Sequence, residues 1–254
     1  MSFIELLKIE FMKVRRSKIL PILCAAPLLV VVSGVASIFR YLTENPSGAW
    51  QAMFVQGGLL FGYYLLPFSI VVVCMLLSER ERQNKAILKM LSLPISRTKM
   101  ATAKFIVLLS FLAIETAFYF LCFIIAGSVA TQTMGVNEAL PMLYVLKWST
   151  LLFVTNIPCT ALIWLITVLF EKPLFSIGLN MLMIIPGILV ANTPIWAIYP
   201  YSYSGYIVTT ELIRLSTGAA NLGFQLFPFL PCAAAILVLC VFIANKQFGK
   251  REMV

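Results

Sequence analysis

The sequence predicts an all-α integral membrane protein. Its parts are six transmembrane helices, an N-terminal interfacial helix, a cytoplasmic helix between spans 2 and 3, and short outer interfacial helices before span 6. Three observations predict it. Of the 254 residues, 61% are hydrophobic and only 11% charged, with a mean hydropathy of +0.97. An ordinary soluble domain is about 45–50% apolar and about 25% charged, so these few charges cannot cover the surface of a soluble fold of this size. Six apolar runs approach the ~20 residues that a helix needs to cross ~30 Å of hydrocarbon. The basic residues, finally, collect on one side of those runs.

The runs are residues 19–39, 57–77, 105–130, 146–170, 174–191 and 227–244, the fifth following the fourth after only Glu171, Lys172 and Pro173. A core helix of a soluble protein could imitate one such run, but not six. Cytoplasmic loops accumulate Lys and Arg. With both termini cytoplasmic, that face carries Lys8, Lys13, Arg15, Arg16 and Lys18 before span 1, and Lys172 in the tight turn. It also carries Arg80, Arg82, Lys85, Lys89, Arg97, Lys99 and Lys104 between spans 2 and 3, and Lys246, Lys250 and Arg251 in the tail. That is sixteen of the nineteen basic residues; Arg40, Lys147 and Arg214 fall outside. The formal net charge of +9 is then a topology signal. In a soluble chain it would suggest nucleic acid; here no nucleic-acid partner is implied.

Residues 1–18 are too charged for a cleavable signal peptide, and no small-residue cleavage site closes a short apolar region. Phe3, Leu7, Phe11 and Val14 fall on one arc at helical spacing, opposite Lys8, Met12 and Arg15, which suits a helix lying on the cytoplasmic surface. Glu10 interrupts that arc, and a plain basic flank that sets topology reads the same charges.

The composition also limits the chemistry. There is no histidine and no aspartate, and all ten acids are glutamate. That removes a His base, a Ser-His-Asp triad, a zinc-His site and an Asp-rich metal cage. No GxxxxGK[ST] phosphate loop is present, so ATP hydrolysis by that route is excluded. Cys24, Cys74, Cys122, Cys159, Cys232 and Cys240 all lie in predicted spans, form no CxxC pair, and read as small packing residues. The expectation is no enzyme, no metal and no cofactor on this chain.

The stretch 78–104 carries its own structure signals. Residues 79–91 are rich in helix formers, with Ile87, Leu88 and Leu91 as a small apolar stripe. Pro94 ends that helix and Ser96 can cap the next, which leads into span 3. A basic loop that only obeys the positive-inside rule is the plainer reading.

The pattern Glu79-x-x-x-x-Asn84-Lys85, Leu88, Leu91-x-x-Pro94-Ile95-Ser96-Arg97 and Lys104 resembles the segment after the second span of ABC-2 type ABC transporter permeases. The opening Leu7-Lys8-x-Glu10-Phe11-x-Lys13 resembles the start of that family, and the whole layout follows it loosely. In size and layout the chain looks most like the permeases of bacterial lantibiotic-immunity and bacitracin-resistance exporters. The resemblance implies a single transmembrane domain over residues 1–254, in which 79–97 is a coupling loop docked in a cleft of a separate ABC ATPase. Carried onto this chain, Ile87, Leu88 and Leu91 would be its apolar contacts. Arg80, Arg82 and Lys85 would meet polar or acidic groups, and Glu79, Asn84, Pro94 and Arg97 complete the motif. Two ATPase copies, holding ATP and Mg, and a second permease, identical or homologous, complete the implied transporter in the bacterial cell membrane.

Two features stand apart from the loop. Glu115 lies about 15 Å into span 3 at 1.5 Å per residue, where a charge costs roughly 2.5–3.5 kcal/mol even on insertion scales. It reads either as a contact for a cationic substrate or as a protonated carboxyl bonded to a neighbouring hydroxyl. The outer segment 192–226 opens with Trp196, Tyr199, Tyr201, Tyr203 and Tyr206. Such rings suit an interfacial aromatic belt, and equally a gate or capture site for a membrane-embedded substrate. Residues 207–215 suit a short helix on the membrane surface, while Pro158 and Pro186-Gly187 mark kinks whose freed carbonyls need partners.

The expected function is the permease subunit of an ATP-driven exporter for a peptide antibiotic. The alternative is a non-ABC membrane protein, such as a secondary transporter half or an assembly factor. It needs intramembrane ion-coupling residues, of which Glu115 alone qualifies, and inverted repeats. A membrane-embedded enzyme is a third class, disfavoured by the missing His and Asp.

Overall fold

In a computed structural model of the chain, the residues described are 3–15, 19–42, 48–83, 96–133, 135–136, 138–170, 172–218 and 226–248, without the side chains of 14–15, 33, 35–42 and 80–83. All regular structure among them is helical. The helices are α1 Phe3–Arg15, α2 Ile19–Leu42, α3 Ala49–Leu60, α4 Leu66–Gln83, α5 Arg97–Thr133 and α6 Met142–Leu169. After them come α7 Pro173–Ile184, α8 Gly187–Ala191, α9 Tyr203–Thr217 and α10 Leu226–Phe248. A π turn, Phe61–Leu65, joins α3 to α4 without a break, and 3-10 turns at Pro194–Ile198 and Pro200–Ser202 lead into α9.

Among the described residues, five helices are long and apolar enough to cross a membrane: Ala49–Glu79, Arg97–Thr133, Met142–Leu169, Pro173–Ala191 and Leu226–Phe248. Each covers one predicted run, the fourth save for its last residue, Phe170. The first run lies in the 24-residue helix α2, whose described apolar part, Ile19–Val32, is shorter. The helices outrun the hydropathy boundaries. Span 2 begins at Ala49, eight residues before the predicted 57, because Trp50, Gln51 and Gln56 dilute its apolar signal without disfavouring helix. The 37 residues of α5 reach from Arg97 through the whole of span 3, about 55 Å at 1.5 Å per residue.

Lipid offers hydrocarbon as readily as a neighbouring helix does, so close packing and hydrogen bonding decide which faces meet. In the most apolar stretch of α6, 72% of residues are buried, against 17% in α10, so α6 is central and α10 peripheral. Even so, α10 shares its most extensive contact with α6. An aromatic core fills the half of the bundle away from its basic end. Phe54 sits 4.8 Å from Trp148, 5.7 Å from Tyr144 and 6.1 Å from Phe120, and Phe61 stacks on Tyr119 at 4.1 Å. Gly127 makes room for it: a Cβ there would lie 2.3 Å from the Trp50 ring and 2.4 Å from Met53. Cys74, Cys159 and Cys240 are buried among these helices as free thiols.

Span 5 is broken where the sequence suggested. Pro173 opens α7 at its first turn, the turn Ile185-Pro186 ends it, and α8 restarts at Gly187.

Candidate functional site

The basic end of the bundle holds a buried ion pair. Lys104 Nζ on α5 lies 3.2 Å from Glu10 Oε2 on α1, and both side chains are only 7% exposed. Lys13 Nζ pairs with Glu10 Oε1 at 2.6 Å, and Lys104 lies 6.0 Å from the Phe248 ring centroid. Asn245 Nδ2 of α10 donates to Thr102 Oγ1 at 3.2 Å. Thus α1, α5 and α10 meet around the root of span 3. This accounts for Glu10 in the apolar arc: it lies on the packed face with Leu6, while Phe11 is turned outward. The packed arc of α1 therefore runs through Phe3, Leu6, Leu7 and Glu10, rotated from the expected one through Phe3, Leu7, Phe11 and Val14.

Of the predicted coupling residues, Glu79 and Arg97 stand half-buried near the ends of α4 and α5. Arg80 and Arg82 lie on the helical backbone of α4, with side chains outside the description, and Asn84, Lys85, Ile87, Leu88, Leu91 and Pro94 lie outside the described residues. Ser96 stands where the sequence put it: its carbonyl accepts the Met100 N–H that opens α5, and its hydroxyl pairs with that of Thr98 at 2.7 Å.

Glu115 is fully buried. Its Oε1 lies 2.5 Å from Ser69 Oγ of α4, and Ser69 Oγ also lies 2.8 Å from the Leu66 carbonyl. One hydroxyl carries one proton and a carbonyl can only accept. Both contacts are hydrogen bonds when Ser69 donates to Leu66 and the carboxyl supplies the other proton. Glu115 Oε2 is buried with no hydrogen-bond partner. Asn156, buried at the middle of α6, likewise has neither amide atom paired.

The aromatic residues of the 196–206 segment face inward. Trp196, Tyr201 and Tyr203 are buried, and Tyr199 and Tyr206 half-buried. Trp196 stacks on Tyr206 at 4.1 Å, and Tyr203 meets Phe229 at 4.9 Å. Their hydroxyls are committed: Tyr203 donates to the Ala197 carbonyl at 2.6 Å, Tyr201 to Asn180 Oδ1 at 2.7 Å, and Tyr199 to the Met183 carbonyl. Met183 is in the last turn of α7, where helix carbonyls lack intrahelical donors, so the tyrosine ring system closes the break in span 5.

Helix α9 runs alongside span 2 rather than across it. A Cβ on Gly62 would touch Ser204 at 3.0 Å and one on Gly58 would touch Val208 at 3.2 Å, so the two helices pass antiparallel. At its far end Arg214 grips Glu211 through Nε at 2.7 Å and through its terminal nitrogen at 2.5 Å, while Tyr144 Oη donates to Glu211 at 3.3 Å. These bonds to Glu211 raise the Arg214 pKa above its ordinary value, burial opposing.

Sequence reading missed three of these features. The Glu10–Lys104 pair had a signal, an acid on an apolar arc and a base at the mouth of a span. Ser69 had none. The docking of α9 had one in Pro67, inside the second apolar run.

The geometry defines a class: a multi-pass helical membrane protein whose interior is given to packing and hydrogen bonding, with no cluster of three metal-ligating side chains among the described residues. The chain belongs to the ABC-2 family: the model of the ABC-2 family transporter protein matches residues 6–187. No curated protein matches the chain. Membership makes it a membrane transport component of the ABC type, and the family implies an ABC ATPase as partner.

Proposed function

We propose that the chain is the permease subunit of an ATP-driven exporter that clears a cationic or amphipathic peptide antibiotic, of the lantibiotic or bacitracin kind, from the bacterial plasma membrane. Two permeases, alike or homologous, work with two ATPase subunits that carry ATP and Mg. The spans number six, and both termini and the 79–97 loop are cytoplasmic. One observation carries the coupling: α4 and α5 run past their apolar stretches to Gln83 and Arg97, into the segment richest in basic residues. The loop between them therefore starts and ends on long helices, so a push on it reaches spans 2 and 3 as rods. Glu115 is the carboxyl we assign to the cationic part of the substrate, met when α4 and α5 part.

The test is recovery of the tagged chain from its native membrane. An ABC ATPase should copurify, and Leu88→Glu should abolish both its retention and its stimulation. Retention of a fully stimulated ATPase by the Leu88→Glu protein refutes the coupling role. A folded Glu115→Gln protein with unimpaired export removes Glu115 from the pathway.

A further inference from the structure

Span 2 holds an interruption that the transport reading does not use. In the π turn the Leu66 N–H bonds to the Phe61 carbonyl, five residues back instead of four. The Gly62 carbonyl thereby loses Leu66, its α-helical donor. The residue five places on, which a π turn would offer, is Pro67, and proline has no N–H. A carbonyl left bare inside an apolar bundle is costly. Ser204, at the start of α9 and 2% exposed, repairs it, its Oγ donating to the Gly62 carbonyl at 2.7 Å.

The surroundings leave this contact no play. A Cβ on Gly62 would lie 3.0 Å from the Ser204 carbonyl oxygen and 3.1 Å from the Gly205 nitrogen, and one on Gly205 would lie 2.2 Å from the Tyr63 ring. The hydroxyls of Tyr63 and Thr209 meet at 2.8 Å. Two glycines, one orphaned carbonyl and two hydroxyl pairings fasten α9 to span 2 in one register. Toward α6, α9 makes a longer contact, the 3.3 Å bond from Tyr144 to Glu211.

We propose that Ser204 is a positioning residue: with Gly62 and Gly205 it latches α9 to span 2, so that the two move as one body and α9 slides against α6. Rigid packed elements of this kind transmit displacement between distant sites. Span 2 is continuous to Glu79, next to the loop proposed for ATPase coupling. The latch rests on the geometry alone, and its drive by an ATPase rests on the proposed function.

The test has two arms. In the purified chain in detergent, Ser204→Ala should speed hydrogen exchange of α9 about tenfold, the loss of one buried hydrogen bond, and leave α6 unchanged. In a Pro67→Ala background, where residue 67 regains an N–H for the Gly62 carbonyl, the same substitution should change exchange less than about threefold. Equal effects in the two backgrounds, or none in either, overturn the latch. In the native complex, spin labels at Phe68 and Ser216 should keep one separation with and without trapped nucleotide, while labels at Met142 and Ser216 change theirs. A Phe68–Ser216 distance that moves as far, or two fixed distances during turnover, overturns the shared motion. If no ATPase copurifies, the proposed function fails and the exchange arm still decides the latch.

Discussion

A single buried carboxyl shows how proton counting decides between roles. Glu115 and the Leu66 carbonyl both claim Ser69 Oγ, at 2.5 and 2.8 Å, and Ser69 has one proton to give. A carboxyl that brings its own proton satisfies both, and a glutamine amide reproduces that donor with the same shape. Glu115→Gln should therefore hold thermal stability within about 1 kcal/mol, the net worth of one hydrogen bond. Ser69→Ala removes the partner of a fully buried group and should cost about 1–3 kcal/mol. Calorimetry of the detergent-purified variants orders the two; a Gln variant less stable than the Ala variant contradicts the protonated arrangement. Gly127 is a steric case of the same kind. A side chain there enters the Trp50 ring at 2.3 Å, so Gly127→Ala should destabilise by about 1–3 kcal/mol through overpacking.

At the scale of the element, the N-terminal helix is held by charge. Glu10 carries two partners of unequal burial: Lys104 at 7% exposure and Lys13 at 33%. An exposed pair is worth about 0–1 kcal/mol, whereas removing one member of a buried pair costs about 3–5 kcal/mol. Glu10→Gln should thus lower the unfolding free energy several-fold more than Lys13→Gln, and release α1 to protease in the folded protein. Limited proteolysis with matched unfolding curves checks both; equal losses contradict the ion-pair account. Here too lies the division between what sequence could and could not tell. Each apolar run became part of a helix, because length and hydropathy are properties of one segment. The break at Pro186 was equally local, since a proline states its own missing N–H. The rotation of α1 toward Lys104, the inward turn of Tyr201 and Tyr203, and the docking of α9 on span 2 depend on partners remote in sequence. Hydropathy cannot distinguish lipid from a neighbouring helix as the surface that covers a ring. Pro67 bridged the two levels: the lost donor was visible in the sequence, but the hydroxyl that replaced it was not.

At the scale of the molecule, the centre of the bundle is filled. Phe54, Phe61, Tyr119, Phe120, Phe123 and Trp148 are all buried in one cluster, across the half of the bundle away from its basic end. A path through this chain alone would have to unpack that cluster, at a cost of several kcal/mol for each large side chain exposed to water. A path between two copies needs no such step, because the α7–α8 span and α10 already present apolar faces, with only 28% and 17% of their spanning stretches buried. Lipid covers such faces when the chain is alone, and a second permease is expected to cover part of them in the proposed transporter. The pathway is therefore expected between chains, with Glu115 reached from it only as α4 and α5 part, and the purified complex should contain two permeases. Native mass spectrometry from mild detergent should give a permease dimer bound to two ATPases. Bifunctional thiol reagents acting on a cysteine introduced by Leu182→Cys on α7 or Leu189→Cys on α8, both positions strongly exposed in the single chain, should then join one permease to the other. A complex that exports with one permease per two ATPases would place the pathway inside the bundle, and transport would then require the aromatic cluster around Phe54 to open.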